Sequence, residues 1–354
     1  MRCNGVDCHA EQREASPPYK GAHKKIAQQV RLLHDFFICR ILYLSYFYYF
    51  SRMILFMSEI ILDNTMQRIL VTGAGGFVGS RFVERWRNEF EILAPSHAEL
   101  DITDALSVER YIIENAPQVV LHLAAISNTW YCEQHPEESY RVNVEGVCNL
   151  AAASARNGVK FIFFSSDQVY NGNCESGPLS EDVAVAPENV YGRHKLEAEQ
   201  RSLGLCPTAV ALRATWMYDI ERDGMPVHAN FVLNIAKAIK EHAPLVLPVR
   251  EYRGITWARD VVEFLPATFT LPGGVYNYGA ECSMDTYETA CCYCEMLVGL
   301  QSGPLLQPDY ERYPEHERNL AMSTDKIFRA SGGRICFGST MDGLRIFAEM
   351  NGLG

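Results

Sequence analysis

Apolar residues along the chain fall into two alternating spacings, and the alternation predicts the fold. Ile69 to Thr72, apolar or β-branched throughout, form a short strand of the kind buried on both faces of a parallel sheet. The chain then turns at Gly73 into a helix carrying Phe77, Val78, Phe82 and Val83. Phe90 to Ala94 is a second strand, Ala105 to Asn115 a helix, and Val119 to Leu123 a third strand. After Pro136 a long helical run carries Tyr140, Val142, Val144, Val147, Leu150 and Ala151 near helical spacing. Lys160 to Ser165 is a fourth strand, and another helix begins at Tyr191 and continues through Leu196, Ala198 and Glu199. This order predicts an α/β protein built on a doubly wound parallel sheet. Beyond about Ala214 the alternation weakens. Phe231 to Lys240 reads as an amphipathic helix, Val275 to Tyr278 as a short strand, and Thr286 to Val298 as a helix. No internal repeat or low-complexity tract interrupts the pattern.

The first strand and helix carry the first chemistry. Gly73, Gly76 and Gly79 make the spacing G-x-x-G-x-x-G, which supplies a tight turn, close approach of backbone N–H groups to a pyrophosphate, and close helix-on-strand packing. The helix N-terminus adds free N–H donors and a partial positive charge, so a diphosphate docks without a cationic side chain. This is the phosphate turn of a Rossmann core, set over residues 66–215. In such a core an acid ending the second strand selects NAD by bonding the adenosine ribose. Here the strand runs into Pro95-Ser96-His97, with no carboxylate before Glu99. Ser96 or His97 is then placed to donate to a 2′-phosphate, which favours NADP over NAD. Asp101 and Ile102 are placed to flank the adenine, while Thr103 or Asp104 caps the helix that follows. Ala124 and Ala125 after Leu123 let the backbone approach the cofactor, and His122 reads as a core histidine.

Composition and charge narrow the partners. The 354 residues are 48% hydrophobic and 21% charged, as expected of a globular protein. A net charge of -11 argues against nucleic acid, whose phosphates need a basic surface. The 12 cysteines are scattered except for Cys291, Cys292 and Cys294. That single C-x-x-C has no second pair near it, so buried thiols in a reducing cytoplasm, and no metal, are the expectation.

Residues 1–65 do not conform to the rest. Residues 36–57 are crowded with aromatic and aliphatic side chains, but their charge-free part, Ile41 to Ser51, is short of the roughly 20 residues a membrane span needs. No small-residue cleavage site follows, as a secretory signal requires. The stretch from Cys8 to Pro17 resembles translated bacterial intergenic repeats, and Met66-Gln-Arg-Ile-Leu-Val-Thr-Gly is how many dinucleotide-binding enzymes begin. A mis-assigned start codon is the expectation, with a membrane anchor as the alternative.

Catalysis is carried by Tyr191-Gly-Arg-His-Lys195, following a strand that ends in Ser165-Ser166-Asp167-Gln168-Val169-Tyr170. Tyrosine and lysine at i, i+4 share a helix face. A phenol with a pKa of about 10 needs help to exchange protons near neutrality. The ammonium one turn away, with the positive ring of an oxidised nicotinamide, is expected to lower it. Ser166 would hold the substrate oxygen by hydrogen bond.

In this order, these motifs resemble the extended short-chain dehydrogenase/reductase family, and within it the dTDP-4-dehydrorhamnose reductases. Further resembling text is Leu100-Asp-Ile-Thr-Asp104, His122-Leu-Ala-Ala125, Tyr140-Arg-Val-Asn143, Leu212-Arg-Ala-Thr-Trp216-Met-Tyr218 and Ala258-Arg-Asp260. The resemblance implies a catalytic triad of Ser166, Tyr191 and Lys195. It implies a cofactor site from Gly73, Gly76, Phe77, Val78, Gly79, Ser96, Asp101, Ile102, Leu123, Ala124 and Ala125, shared with Tyr191 and Lys195. Residues 216–354 would mostly build a smaller substrate-binding lobe, with some segments returning to the core. Arg253 resembles an arginine that holds a nucleotide diphosphate, and Ser127, Trp216 and Asn230 would also face substrate. Two departures stand out. Gln168 replaces the family's tyrosine, and as an amide it cannot act as the glutamate base of dehydratases. The acidic and basic pair after the Ala-Ala turn is replaced by Ser127-Asn-Thr-Trp-Tyr-Cys132. The expected activity is NAD(P)H-dependent reduction of a keto group on a nucleotide-activated deoxysugar. A sugar-nucleotide epimerase and a non-catalytic cofactor-binding regulatory subunit remain the alternatives, and a homodimer is compatible with each.

Overall fold

The computed structural model describes residues 66–301 and 303–352, and the expectations for residues 1–65 lie outside them. Twelve strands are present among the described residues. They are β1 (Arg68–Thr72), β2 (Glu91–Leu93), β3 (Val119–His122), β4 (Lys160–Ser166), β5 (Val210–Ala214), β6 (Trp216–Tyr218), β7 (Leu245–Pro248), β8 (Glu251–Arg253), β9 (Ile255–Trp257), β10 (Gly274–Tyr278), β11 (Leu306–Asp309) and β12 (Arg318–Leu320). Between them run α1 (Phe77–Trp86), α2 (Ala105–Asn115), α3 (Thr129–Gln134), α4 (Pro136–Tyr140), α5 (Gly146–Arg156), α6 (Val190–Leu205), α7 (Phe231–Glu241), α8 (Ala258–Phe264) and α9 (Thr286–Cys292), followed by α10 (Asp325–Ala330) and α11 (Thr340–Met350).

Six strands form one parallel sheet in the order β10-β5-β4-β3-β1-β2, the doubly wound arrangement expected. Because successive side chains of a strand point to opposite faces, each strand feeds two cores. Ile69, Val71, Leu121, Ile162 and Leu212 join Phe82 and Trp86 of α1 and Val261 of α8. Leu70, Val120, Phe161, Phe163 and Ala211 join Val108 and Ile112 of α2, Val147 and Leu150 of α5, and Ala198 of α6. Gly79 sets how closely α1 lies on the first turn, since a Cβ there would sit 2.1 Å from the Gly73 carbonyl oxygen. Asp104 caps α2, accepting from the backbone N–H groups of Leu106 and Ser107.

The run after Pro136 is not one regular helix. A π-helical turn, Arg141–Glu145, separates α4 from α5. Within it Asn143 is fully buried, accepting from Ile126 N at 2.9 Å and donating to Ile126 O at 2.8 Å and to Ser139 Oγ at 3.1 Å. The irregular turn thus places an amide where it clamps the loop after β3. The helix expected over 286–298 also changes character, with α9 giving way to a π turn at Tyr293–Leu297.

Beyond β5 the chain builds a second core and then returns. The parallel pairs β6–β9 and β7–β11 feed a cluster that includes Tyr218, Phe231, Ile235, Trp257, Leu344 and Phe347, while the pair β8–β12 puts Leu320 against Val169 and Tyr170 of the turn after β4. β10 comes back to the edge of the main sheet beside β5, and α8 docks on α1, where Trp86 Nε1 donates to Val262 O at 3.0 Å. Among the described residues no helix is long and apolar enough to cross a membrane.

A buried ion pair ties α6 to the sheet. Arg213 of β5 grips Glu199 of α6 through Nη2–Oε2 at 2.7 Å and Nε–Oε1 at 3.0 Å, both side chains being almost wholly buried. Its Nη1 donates to the Tyr170 hydroxyl at 2.8 Å, which donates to Asn277 Oδ1 of β10 at 2.8 Å. Removing one partner leaves the other charge buried and unpaired. Arg213→Ala is therefore expected to cost about 3–5 kcal/mol, read as a lowered midpoint in urea denaturation. A loss under about 1 kcal/mol would show that the pair does not anchor the helix.

Candidate active site

β4 ends at Ser166, whose hydroxyl accepts from Gln168 N at 3.2 Å and so starts the 3-10 turn Asp167–Tyr170. Asn189 caps α6 by accepting from Gly192 N, which presents Tyr191 and Lys195 in the first turns of the helix. α6 lies hard against the Ser166 turn because Gly192 has no side chain; a Cβ there would be 2.4 Å from the Gln168 carbonyl oxygen. Lys195 is fixed on β4, Nζ donating to Phe164 O at 2.8 Å, and its ammonium stands 5.6 Å from the centre of the Tyr191 ring. The Ser166 hydroxyl adjoins the Tyr191 phenol. The structure therefore brings Ser166, Tyr191 and Lys195 together at the carboxyl end of β4, where open α/β sheets place their ligands.

Burial governs the charges in this cluster. It pushes Lys195 down to about 8, against the opposing influence of Cys132 and Glu199. Tyr191 does not behave as the Tyr–Lys spacing suggests. Burial, with Asp167 and Cys132 beside it, raises the phenol well above its ordinary value rather than lowering it. In the protein alone, desolvation outweighs the Ser166 hydroxyl, whose hydrogen bond pulls the phenol down. His122 is buried in β3, pairs Nδ1 with Thr72 Oγ1 at 2.6 Å, and is pushed down to about 3 by burial and by Lys195. It is a neutral core histidine, although its Nε2 has no partner.

The N-terminus of α1 fits a diphosphate. Gly76 stands at the N-cap with no side-chain cap, the first turn holds no acid, and both Gly75 and Gly76 are exposed. Phe77 is half-buried beside this turn, as are Leu123 and Ala124 at the end of β3, while Ala125 is exposed. Val78 and Ile102 are committed to the two cores. Asp101 folds back on the chain, Oδ1 accepting from Thr103 N at 2.9 Å and Thr103 Oγ1 at 2.7 Å. The reading of Ser96 requires correction. Its N–H and hydroxyl both donate to Glu99 Oε2, each at 2.8 Å, and these bonds hold the carboxyl below its usual range. The acid that looks too late in the sequence is folded back on Ser96.

On the substrate side the candidates separate. Ser127 is exposed, directly before Asn128, which caps α3. Trp216 is half-buried between the Phe231 ring at 6.4 Å and the Arg253 guanidinium at 5.0 Å. Arg253 pairs with Asp167 Oδ2 at 2.7 Å, and its Nε is buried without a partner. Asn230 is not available to a ligand. It is buried, its Oδ1 caps α7 by accepting from Leu233 N at 3.1 Å, and its Nδ2 donates to the carbonyls of Asp219 and His228. Two residues join the cluster without having been singled out as candidates. Asp167 sits between Ser166 and Arg253, inside the strand-end string that carries the resemblance. Arg318 of β12 donates to Gln168 Oε1 at 2.8 Å and pairs with Glu251, a contact for which the sequence offers no signal.

Comparison with known proteins identifies the family. The family model described as RmlD substrate binding domain matches residues 66–330. A dTDP-4-dehydrorhamnose reductase of Aggregatibacter actinomycetemcomitans is 28% identical over 283 residues, 75% of this chain and 94% of that protein. A probable dTDP-4,6-dihydroxy-2-methyloxan-3-one 4-ketoreductase of Streptomyces antibioticus is 34% identical over 211 residues, 58% of this chain and 68% of that one. Among solved structures, the dTDP-4-dehydrorhamnose reductase of Bacillus anthracis in complex with NADP matches with a TM-score of 0.69 at 22% identity, over 81% of this chain and 100% of that one. At that identity the likeness is one of fold.

The buried ammonium has a thermodynamic signature. Its folded pKa of about 8 lies below the ordinary 10.5, so between those values the unfolded chain binds more protons than the folded one. Stability should then rise with pH across that window. Chemical denaturation of the wild type should show this rise and Lys195→Met should lack it; identical pH dependence in the two would show that Lys195 is not held at a displaced pKa.

Proposed function

The chain belongs to the RmlD substrate binding domain family, the dTDP-4-dehydrorhamnose reductases, and from that premise we propose that it reduces the 4-keto group of a dTDP-activated deoxysugar with NAD(P)H. The observation that carries this reading is the meeting of Ser166, Tyr191 and Lys195 at the carboxyl end of the parallel sheet, the edge that also carries the uncapped glycine turn of α1. When bound, the reduced dinucleotide supplies the hydride. Gly76, the first turn of α1 and the loop Leu123–Ala125 would hold it. Tyr191 gives its proton to the carbonyl oxygen as negative charge develops there, and it starts from the neutral form that donation requires. Lys195, pinned to Phe164 O, keeps a positive charge one helical turn away. Arg253 offers a buried unpartnered N–H to a diphosphate oxygen, with the Trp216 ring beside it. Gln168 is held through Oε1 by Arg318 and Asn189 and is neutral, so it provides no base for an elimination.

The place of Glu99 favours NAD over NADP within this activity. A carboxylate held on Ser96, in the loop that follows β2, suits ribose hydroxyls and repels a 2′-phosphate.

Two experiments test these roles. Tyr191→Phe should lower turnover of dTDP-4-dehydrorhamnose by about 10²–10⁴-fold, with the cofactor dissociation constant changed less than about twofold. Retention of about a tenth of wild-type turnover would refute the assignment. In a competitive binding titration the wild type should prefer NADH, and Glu99→Gln should narrow the gap to NADPH several-fold. Tighter NADPH binding by the wild type, unmoved by the substitution, would reverse the reading.

A further inference from the structure

Three non-glycine residues among those described have a positive φ. Ala116 and His242 are the left-handed caps that end α2 and α7, an ordinary place for that conformation. Tyr313, at +61°, ends no helix. It lies in the loop between β11 and β12 and directly precedes Pro314, where a residue prefers extended backbone. A β-carbon is penalised in the left-handed region and glycine is not, so an aromatic residue here is held against its own preference.

The loop supplies the restraint from both sides. Asp309 Oδ1 accepts from Glu311 N at 3.1 Å and Arg312 N at 3.0 Å, which fixes the approach to Tyr313. Arg250 Nη1 donates to Pro314 O at 2.8 Å, which fixes the exit. The side chain held there faces two arginines of the site. Its ring centre is 5.7 Å from the Arg318 guanidinium, the group that holds Gln168 beside Asp167. Its phenol lies within electrostatic reach of Arg253, as do Asp167 and Glu251. Tyr313 is half-buried, and no hydrogen bond to its hydroxyl is found among the described residues.

Backbone strain persists where surrounding contacts over-determine it, and it collects at ligand clamps. The neighbouring groups say what this one would clamp. Arg253 keeps a buried Nε without a partner and lies over the Trp216 ring at 5.0 Å, so it has an N–H to give to an anion. A phenol donor near that guanidinium suits the same anion and adds direction without adding charge. We propose that Tyr313 is a substrate-binding residue whose hydroxyl donates to the diphosphate of the nucleotide sugar, next to Arg253. The proposal rests on the reading of the chain as a reductase of a dTDP-sugar, and it adds a contact from the loop between β11 and β12.

Binding of dTDP to the full chain, followed by calorimetric titration without cofactor, tests it. Tyr313→Phe keeps the ring against Arg318 and removes only the hydroxyl. It should weaken dTDP about tenfold, the worth of one hydrogen bond to a charged group, and leave thymidine affinity and the urea midpoint unmoved. Tyr313→Gly suits the positive φ and lacks the hydroxyl, so it should weaken dTDP at least as much while relieving the backbone. A dTDP affinity within about twofold of wild type in either variant would overturn the proposal. So would an equal loss for thymidine, which would place the hydroxyl on the nucleoside. Both outcomes leave the reductase reading standing, because they require a wild type that binds dTDP. A wild type that binds NADH and not dTDP would overturn that reading, and the proposal with it.

Discussion

The site depends on how firmly α6 is held against the sheet. Tyr191 and Lys195 lie on one helix, Ser166 on a strand, and no local rule of the chain fixes the distance between them. Three contacts do: Lys195 Nζ on the Phe164 carbonyl, Glu199 gripped by Arg213, and the close approach of Gly192 to the Gln168 carbonyl. The first two are charges taken out of water, costly unless every polar direction is used. Arg213 meets that condition by reaching Tyr170 and, through it, Asn277 on the far edge strand. The strand that returns to the sheet after the second lobe thereby helps to hold α6.

Burial that makes the site rigid also sets its resting chemistry. Desolvation drives Tyr191 toward its neutral form and Lys195 toward losing its proton. Both shifts oppose the phenolate–ammonium pair that the Tyr-x-x-x-Lys spacing calls to mind. A neutral phenol suits a reductase, because the step asks it to give a proton. Asp167 works in the same sense, raising the phenol while its own charge is balanced by Arg253.

The pairing of Asp167 with Arg253 and of Gln168 with Arg318 ties the turn after β4 to β8 and β12 through polar side chains. The catalytic turn after β4 is thus touched by β8 and β12, strands that belong with the residues expected to contact sugar. From Arg253, two hydrogen bonds lead through Asp167 to Ser166.

Much of the frame was legible in the residues because it follows from local rules. Alternating apolar runs specify strands buried on both faces; glycines at 73, 76 and 79 specify a close turn; Asp104 specifies a cap; four-residue spacing puts Tyr191 and Lys195 on one face. Each depends on neighbours a few positions away. The rest was settled by neighbours distant in sequence. Glu99 reads as an acid placed too late until it folds back on Ser96. Asn230 reads as a sugar contact until it is seen closing α7. The protonation of Tyr191 depends on burial and on Asp167, neither of which spacing reveals. Propensity and periodicity act along the chain, whereas desolvation and charge pairing are set only when remote segments pack together.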